Sequence, residues 1–488
     1  MRIDFCGPTY NGRSNNIDPS RCVNFFIEPG TQDMRSKALI GRHGCKTMFT
    51  LPQGPVRLLY NFGGRLFVVA GNGLYEITGE WTYVLRGTLA HSSGMISAAD
   101  NGQSAQGVGG DQLLLLDNSQ GYIFNIVTNS ITPIISGGFP GGTTCAFQDG
   151  YFIVAGGSMK YVVSALYDGL TWPGLAFAAV EGTSDIVQHS ISLSEQLYFI
   201  KEIATEVHYN TGVPTSQGSP FARVSGAVID VGTPAPASVA RVPGGVMFLA
   251  NRRGVDFGDL LGVVMLSGYT PQVISPPNIN YAISQMTSTS DATAYCFVDA
   301  GHTFYVLTFP TDQKTFVYDF MSQMWFEWAT WSAQQPLGGR HLSTTATNWR
   351  GYTLIGSYRS DGSVLAMSTD YYDDDGVEIV AYRTAKVLID PEDKDRLFIE
   401  KLRIDMEVGV GDGGTTNTGS PVVSLAWSHD GGRTWSNLYQ GSIGKLGEYD
   451  TQVVWRRLGY ARERVFKLIV SDAVKRVITG AWINEVTK

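Results

Sequence analysis

Arg65-Leu66-Phe67-Val68-Val69 is the clearest of several short apolar runs that recur along this chain of 488 residues. A Gly63-Gly64 turn precedes it, and most of the other runs also follow a turn containing Gly or Asp. Counted from Leu66, successive runs begin 47, 38, 46, 49, 58 and 48 residues apart, at Leu113, Tyr151, Leu197, Val246, Phe304 and Tyr352. Repeats of roughly 40–50 residues, each with several short strands, are typical of β-propeller blades. The sequence therefore predicts an all-β propeller.

The first repeat indicates how one blade is built. Tight turns divide it into four strand-like segments, Val56–Phe62, Arg65–Ala70, Leu74–Thr78 and Thr82–Leu85. Such segments form antiparallel hairpins. Six further units of similar length follow, so we expect about seven blades, with six as the alternative. The seven units span residues 56–85, 93–136, 143–181, 185–226, 237–275, 279–331 and 338–370.

The spacing of apolar segments divides the chain into three parts. Residues 1–54 are rich in turn residues and predict an extended N-terminal lead-in. Residues 55–372 form the predicted propeller. Beyond the acidic turn Tyr371–Asp375 the spacing changes, and the strand-like segments there predict a C-terminal β-sandwich over residues 373–488.

Composition narrows the class of protein. Abundant Gly (57 residues) and sparse charge (16%) suit many tight turns between half-buried strands. The five cysteines are scattered and form no Cys-x-x-Cys pair, which argues against a disulfide framework and a zinc site. No apolar run reaches the roughly 18 residues of a membrane span, and the N-terminus lacks a signal-peptide core. We expect a soluble protein that folds in a cytoplasm.

The charge is unevenly distributed. Residues 1–380 hold 20 Lys and Arg against 30 Asp and Glu, whereas residues 381–488 hold 16 against 14. Affinity for nucleic-acid phosphates comes chiefly from Lys and Arg. An acidic propeller is therefore predicted to let DNA pass without binding it.

The sharpest local motif is an Asp box, with Ser428, Asp430, Gly432, Thr434 and Trp435 at its defining positions. It is primarily a fold element, because the Asp can accept backbone N–H bonds across a turn and the Trp can pack beneath it. Sialidases carry several such boxes in their propellers, which raises an enzyme hypothesis. This box is single, it lies outside the repeats, and no spacing nominates the carboxyl pair of a glycosidase. We predict no catalytic residue, no cofactor and no metal site.

A short acidic run, Asp373-Asp374-Asp375, is a weaker candidate site. Clustered carboxylates suit Ca²⁺, but the spaced ligands of an EF-hand loop are missing, so a solvated turn is the favoured interpretation.

Several segments resemble one family in the same order along the chain. They are Arg21–Phe26, Glu206–Gly212, Lys314–Asp319 with Trp325, and the run Val453–Arg462 followed by Phe466-Lys467-Leu468. Together they are similar to the packaged-DNA stabilisation proteins, which are the tail accessory or hub subunits of short-tailed bacteriophages.

The resemblance implies a β-propeller with a terminal β-domain and no catalytic residues. It also implies a hexameric ring in the virion tail, assembled in the host cytoplasm beneath the portal and adaptor. Such a hub or nozzle retains packaged DNA, which passes through the lumen without sequence-specific binding, and connects to a distal needle, plug or fibre. No membrane partner is implied.

A basic group near the C-terminus is the candidate subunit interface. It comprises Arg456, Arg457, Arg462 and Arg464. These side chains either form solvated strand faces or pair with the acidic propeller of an adjacent subunit, since complementary charge orients assembly.

Two other functions stay open on the sequence. One is a virion-associated Asp-box glycosidase or receptor-binding propeller. The other is a non-viral propeller scaffold that binds proteins.

Overall fold

The computed structural model describes residues 2–3, 5–10, 12–15, 17–32, 35–252, 262–332, 335–389, 397–410 and 420–484. Strands dominate these residues, and the predicted fold class, a β-propeller with a C-terminal β-sandwich, is confirmed. The longest helix of the described residues is α1 (Pro277–Ser284), which precedes the sixth blade. Two 3-10 helices, Ser104–Gln106 and Pro236–Ser238, lie in connections. No helix within the described ranges is long and apolar enough to span a membrane.

The first five strands lie before the first blade. They are β1 (Arg2–Ile3), β2 (Cys22–Val23), β3 (Phe25–Gln32), β4 (Arg35–Gly41) and β5 (Gly44–Thr50).

Seven antiparallel sheets of the described chain form the propeller. Their innermost strands contact one another in sequence around a ring, and the seventh sheet contacts the first. Blade one has β6 (Val56–Phe62), β7 (Arg65–Ala70), β8 (Gly73–Ile77) and β9 (Tyr83–Thr88); blade two has β10 (Ile96–Asp100), β11 (Gln112–Asp117), β12 (Gln120–Asn125) and β13 (Ser130–Pro133); blade three has β14 (Thr144–Gln148), β15 (Tyr151–Ala155), β16 (Lys160–Val163) and β17 (Phe177–Ala179). Blade four has β18 (Val187–Leu193), β19 (Gln196–Lys201), β20 (Thr205–Asn210) and β21 (Phe221–Ile229); blade five has β22 (Val231–Gly232), β23 (Ala240–Val242), β24 (Gly245–Arg252), β25 (Gly262–Ser267) and β26 (Thr270–Val273). Blade six has β27 (Thr293–Asp299), β28 (His302–Phe309), β29 (Lys314–Asp319) and β30 (Met324–Trp328); a hairpin of β31 (Thr330–Ser332) and β32 (Gln335–Gly339) follows, and blade seven has β33 (Ser343–Trp349), β34 (Tyr352–Ser357) and β35 (Ser363–Ser368).

The recurrent apolar runs have a common place in the fold. Each lies on the second strand of its blade, namely β7, β11, β15, β19, β24, β28 and β34. Apolar residues of these strands pack against the blades on both sides, in clusters that join successive blades. Because both faces are covered, the strands carry continuous apolar sequence instead of an alternating pattern.

An N-terminal strand closes the ring. β5 pairs with β35 as the outer strand of blade seven, which otherwise has three strands, and connects directly to blade one. Residues far apart in sequence thus complete one blade. β36 (Asp373–Asp374) and β37 (Val377–Glu378) extend the same sheet beyond β5.

The C-terminal domain has two packed sheets, both of which include or adjoin N-terminal strands. In one, the order is β3-β4-β45-β40-β43, with β1 also paired to β45; in the other it is β38-β44-β41-β42, with β39 paired to β44. The strands are β38 (Ala381–Thr384), β39 (Leu388–Ile389), β40 (Leu397–Met406), β41 (Val422–Ser428), β42 (Tyr439–Ser442), β43 (Val453–Ala461), β44 (Glu463–Val470) and β45 (Val477–Ile483).

The short strand β2 links the two domains. It pairs with β30 of blade six on one side and with β38 of the sandwich on the other, so one sheet continues through both domains. The segment predicted as a lead-in over residues 1–54 therefore supplies strands to the sandwich, to the link and to blade seven. The strands between residues 373 and 378, placed in the predicted sandwich, pair with blade seven.

Candidate functional site

A buried ion pair lies where the two domains meet. Arg42, between β4 and β5, and Asp374, on β36, have fully buried side chains. The guanidinium donates to Asp374 Oδ1 at 2.9 Å, to the His43 carbonyl at 2.7 Å and to Asn24 Oδ1 at 2.8 Å. Asn24 Nδ2 in turn donates to the carbonyls of Ala329 and Val380. This network ties the N-terminal segment to blade six, blade seven and the start of the sandwich.

Three potential metal ligands adjoin this ion pair. Cys45, His341 and Asp374 have ligand atoms within 4.8 Å of one another, the one such group in the described part of the chain. Burial raises the pKa of the Cys45 thiol well above its ordinary value and lowers that of His341 well below it. A protonated thiol and a carboxylate already neutralised by Arg42 are poor metal ligands. The chemistry of the three residues is that of a buried structural network beside the ion pair and not that of a metal site.

The acidic run at residues 373–375 does not gather its carboxylates. Asp374 pairs with Arg42, Asp375 accepts from Thr47 N and Oγ1, and Asp373 accepts from Gly376 N. The three side chains bind different partners and do not converge on one point. The buried Asp374 also departs from the solvated turn expected from the sequence, because it pairs with Arg42.

A second buried carboxylate stabilises the link between the domains. Glu327, on β30, accepts hydrogen bonds from Arg21 Nε at 2.7 Å and from Thr9 Oγ1 at 2.5 Å. The pKa of Glu327 lies below its ordinary value: burial raises it, but the charge and hydrogen bonds of Arg21 outweigh that effect. The neighbouring Trp325 and Trp328 are almost fully buried, as expected for blade packing.

A histidine connects blade six to the sandwich. His302, on β28, is bonded through Nδ1 to Asp319 of blade six at 3.1 Å and through Nε2 to Glu28 of β3 at 2.8 Å. His43 lies nearby and pairs with Asp299 at 2.8 Å. Burial lowers the pKa of His302, but the hydrogen bonds and charges of Asp319 and Glu28 dominate and raise it above the ordinary value. His302 therefore bridges the two domains, and its two carboxylate partners favour its protonated form.

His302→Gln is expected to flatten the pH dependence of the unfolding free energy above about pH 6.5. A raised folded-state pKa stabilises the fold fully below the unfolded pKa, and this contribution is lost as pH rises through the folded pKa. The pKa of His43 is lowered by burial, so that residue acts in the opposite sense and is left unchanged in both proteins. Urea unfolding at a series of pH values measures the difference.

The matched control is His429→Gln on the Asp-box turn. Desolvation lowers the pKa of this exposed histidine, so its titration affects stability below about pH 6.5 and not above it. This variant should leave the slope above pH 6.5 close to that of the wild-type protein. Parallel wild-type and His302→Gln curves would contradict the assignment.

The Asp box adopts the geometry of a structural turn. Asp430 accepts from Ser428 Oγ at 2.6 Å, from the backbone N–H groups of Arg433 and Thr434 at 2.9 Å, and from Thr434 Oγ1 at 2.6 Å. These bonds hold the pKa of Asp430 far below its ordinary value. Gly432 has φ of 89° and lies against the Trp435 ring. A carboxylate with its oxygens engaged in this way is unsuited to proton transfer or nucleophilic attack.

The four arginines of the predicted interface do not share one environment. Arg456, Arg457 and Arg462 are exposed on or next to β43 and form no salt bridge among the described residues. Arg464 is 1% exposed and donates to the carbonyls of Leu458 and Tyr460, with its guanidinium near the rings of Trp427 and Phe466. Arg464 is therefore an interior residue of the sandwich and does not belong to the candidate interface.

The exposed arginines lie at an open edge of the sandwich. β43 is the last strand of its sheet, and no described strand pairs with its outer side. β42, the last strand of the other sheet, lies beside it, and Trp455 Nε1 donates to the Tyr439 carbonyl across the two sheets. Tyr460 is 62% exposed and packs on Phe398. This sandwich edge, comprising β42, β43 and their exposed side chains, combines arginine with aromatic groups, the composition favoured at protein interfaces.

Comparison with known families decides where the chain belongs. A family model described as bacteriophage P22 Gp10, beta-propeller, matches residues 13–359, and a second, described as bacteriophage P22 Gp10, beta-sandwich, matches residues 385–485. The chain belongs to the bacteriophage P22 Gp10 family. It is thus a phage structural protein of the tail, and the resemblance found in the sequence is confirmed.

The solved structures similar to this P22 Gp10 family member share little sequence identity with it, and two of them are WD40 domains. The WD40 domain of Neurospora crassa Pan2 shares 10% identity, with 70% of this chain and 98% of that chain covered and a TM-score of 0.42. The WD40 propeller of Doa1 shares 13% identity, covering 67% and 97%, with a TM-score of 0.40. The extracellular domain of BT4673 from B. thetaiotaomicron shares 8%, covering 67% of this chain but 39% of that chain, with a TM-score of 0.43. No curated protein sequence matches the chain.

The contacts that join the two domains of this Gp10 family member are absent from the sequence-based predictions. Arg42 and His302 are single residues without a motif, and they have partners far away in sequence. Asp374 stood out only as part of the acidic run 373–375, which did not indicate Arg42 as its partner. Arg21 is the first residue of the segment Arg21–Phe26, whose resemblance to the family was the one sequence signal pointing to this region.

Proposed function

We propose that the chain is a subunit of the tail hub or nozzle, a ring beneath the portal and adaptor that retains packaged DNA. In this proposal it is assembled in the host cytoplasm, and its far side receives a distal needle, plug or fibre. Membership of the P22 Gp10 family supports the tail location. We propose the ring and its partners in addition to that tail location.

The way in which the domains are joined suits a load-bearing wall. One sheet passes from blade six through β2 into the sandwich, and β5 ties the same N-terminal segment into blade seven. Buried pairs at Arg42 and Glu327 reinforce the joint. A subunit with such a joint resists bending between its domains, as retention of DNA under pressure requires.

The sandwich edge is the observation that carries the ring proposal. Its arginines have no partners within the described subunit, and strand β43 has an unpaired outer side. Residues 1–380 carry a net charge of −10, so the propeller of a neighbouring copy offers the complementary sign. Contact between two different surfaces of identical subunits generates a closed ring when the rotation closes.

The same charge distribution accounts for passage of DNA. Sequence-independent affinity for DNA requires clustered Lys and Arg, which release counterions. A wall built mainly from an acidic propeller has the opposite sign and lets the duplex slide.

Arg456→Glu combined with Arg457→Glu is expected to reduce ring formation by at least about tenfold while leaving monomer stability within about 1 kcal/mol of wild type. Both side chains are exposed, so folding does not depend on them. Mass photometry of the purified protein with tail adaptor present measures ring content, and thermal unfolding measures stability.

A control variant has the same change in net charge elsewhere. Arg2→Glu with Lys386→Glu alters two exposed residues of the sandwich domain that lie off β42 and β43 and should assemble normally. Full-size rings from the Arg456/Arg457 variant would refute the proposed interface. Equal loss in both variants would show that only total charge matters.

A further inference from the structure

A cavity of about 870 Å³ occupies one mouth of the propeller channel. Residues at or just before the start of the innermost strands line it, with contributions from all seven blades. We call it the axial funnel. Its volume falls within the range of ~300–1,000 Å³ that is usual for ligand sites.

The wall of the axial funnel is largely apolar. Met95 and Ile96 of blade two, Ile186 of blade four and Val239 of blade five present aliphatic side chains to it. An apolar wall accommodates the hydrocarbon part of a ligand, because covering it removes apolar surface from water.

One guanidinium that forms no salt bridge among the described residues faces this apolar space. Arg340, just before blade seven, lies with its guanidinium 3.8 Å from the centre of the Tyr358 ring. Its Nε is buried without a hydrogen-bond partner, and no salt bridge of the described residues involves it. A desolvated guanidinium gains more from a charge-assisted hydrogen bond than a solvated one. Burial lowers the pKa of Arg340, and this effect outweighs the opposing contributions of Tyr358 and of the negative charge of Asp291.

The other charged and titratable groups of the axial funnel leave this cation available. Arg57 donates to the carbonyls of Gly71, His91, Ser93 and Gly94 and pairs with Asp117, so its donors are used. Asp291 accepts from Thr311 N through Oδ2, and its Oδ1 is buried without a hydrogen-bond partner. Its charge raises the pKa of Arg340, but the two side chains form no salt bridge. Burial lowers the pKa of His189 to about 4, so that ring is neutral near pH 7.

We propose that the axial funnel binds an amphipathic anion, with its carboxylate or sulfonate group against Arg340 and its hydrocarbon part along the apolar wall. The charge of Asp291, which also lines the funnel and acts on Arg340, opposes a second negative charge, so a ligand with a single anionic group fits best. This site is independent of the ring proposed above, since it lies within one propeller and can be tested on the isolated chain.

Calorimetric titration with two probes of equal chain length tests the proposal. Dodecanoate should bind the full chain at a single site, and dodecyltrimethylammonium, used like it below its micelle concentration, should bind at least about tenfold more weakly. Equal affinity for the two probes in the wild-type protein would overturn the proposal without any variant.

Variants then locate the site. Arg340→Gln should weaken dodecanoate roughly tenfold, whereas Asp291→Asn, which removes the opposing charge but keeps an acceptor for Thr311, should tighten it. Ala237→Phe places a ring in the axial funnel and should abolish binding. Thermal unfolding confirms that each variant is folded.

Arg350→Gln is the matched control, because this exposed guanidinium lies over Trp349 at the far end of β33. It should bind dodecanoate as the wild type does. Wild-type affinity in Arg340→Gln, or binding that survives in folded Ala237→Phe, would overturn the assignment of the site.

Discussion

Asp374→Ala is expected to lower the unfolding free energy by about 3–5 kcal/mol, the range found when one partner of a buried ion pair is removed. Arg42 would remain fully buried with a positive charge and no carboxylate. Small proteins and single domains are stable by roughly 5–15 kcal/mol, so this one change removes a large share. Equilibrium urea unfolding, followed by tryptophan fluorescence, measures the loss.

Two further proteins make the result specific. Asp370→Ala removes an exposed carboxylate close by in sequence and should change stability by no more than about 0.5 kcal/mol. The double variant Arg42→Met with Asp374→Ala removes both charges and should recover part of the loss, because the buried charge is no longer uncompensated. A single variant Asp374→Ala with wild-type stability would show that the pair contributes nothing to the domain joint.

A chain that begins at residue 54 is expected to fail to fold. It lacks β5, so the outer strand of blade seven is missing, and it lacks β3 and β4, which cover one end of a sandwich sheet. Residues Phe25, Phe26 and Leu39 of the shared core would also be absent. We expect residues 54–488 alone to be insoluble or to lose cooperative unfolding.

Co-expression provides the control for this truncation. Pro52 and Gln53 are exposed between β5 and β6, so residues 1–53 supplied as a separate chain restore every described strand with a single break. The two fragments should co-purify and unfold cooperatively. A soluble 54–488 fragment that unfolds at the wild-type temperature would mean that the N-terminal strands are dispensable.

The propeller could be predicted because its signal is local and repeated. The second strand of each blade is covered on both faces, which demands an uninterrupted apolar run such as Leu113–Leu116. Several of the turns that precede the runs contain Gly at positive φ, as at Gly63 and Gly64 before β7. Seven repetitions of this local requirement are readable without any knowledge of pairing.

The joint between the domains could not be predicted in the same way. β1 pairs with β45 and β5 pairs with β35, across separations of several hundred residues. A two-residue strand such as Cys22–Val23 has no periodicity from which to infer either partner. The sequence of residues 1–54 therefore predicted turns and extended segments, but it did not predict the strands with which those segments pair.

The candidate interface was predicted in part. Charge alone grouped Arg464 with Arg456, Arg457 and Arg462, because a charged residue is ordinarily exposed. In the fold, the side chain of Arg464 points between the sheets, where backbone carbonyls and aromatic rings accept it. Side chains alternate between the two faces of a strand, but the sequence alone does not show which face is turned inward until the neighbouring strands are known.

Because β4 pairs with β45, this sheet of the sandwich can be completed only after the C-terminal strand has been synthesised. Residues 39–40 leave the ribosome long before residues 477–478, and at roughly 5–20 residues per second the interval is on the order of half a minute or more. During that time β3 and β4 can pair only with each other. Their apolar face remains uncovered until the last strand has been translated. Mutations that slow or truncate translation near the C-terminus should therefore expose the earliest-made segment to chaperones and proteases.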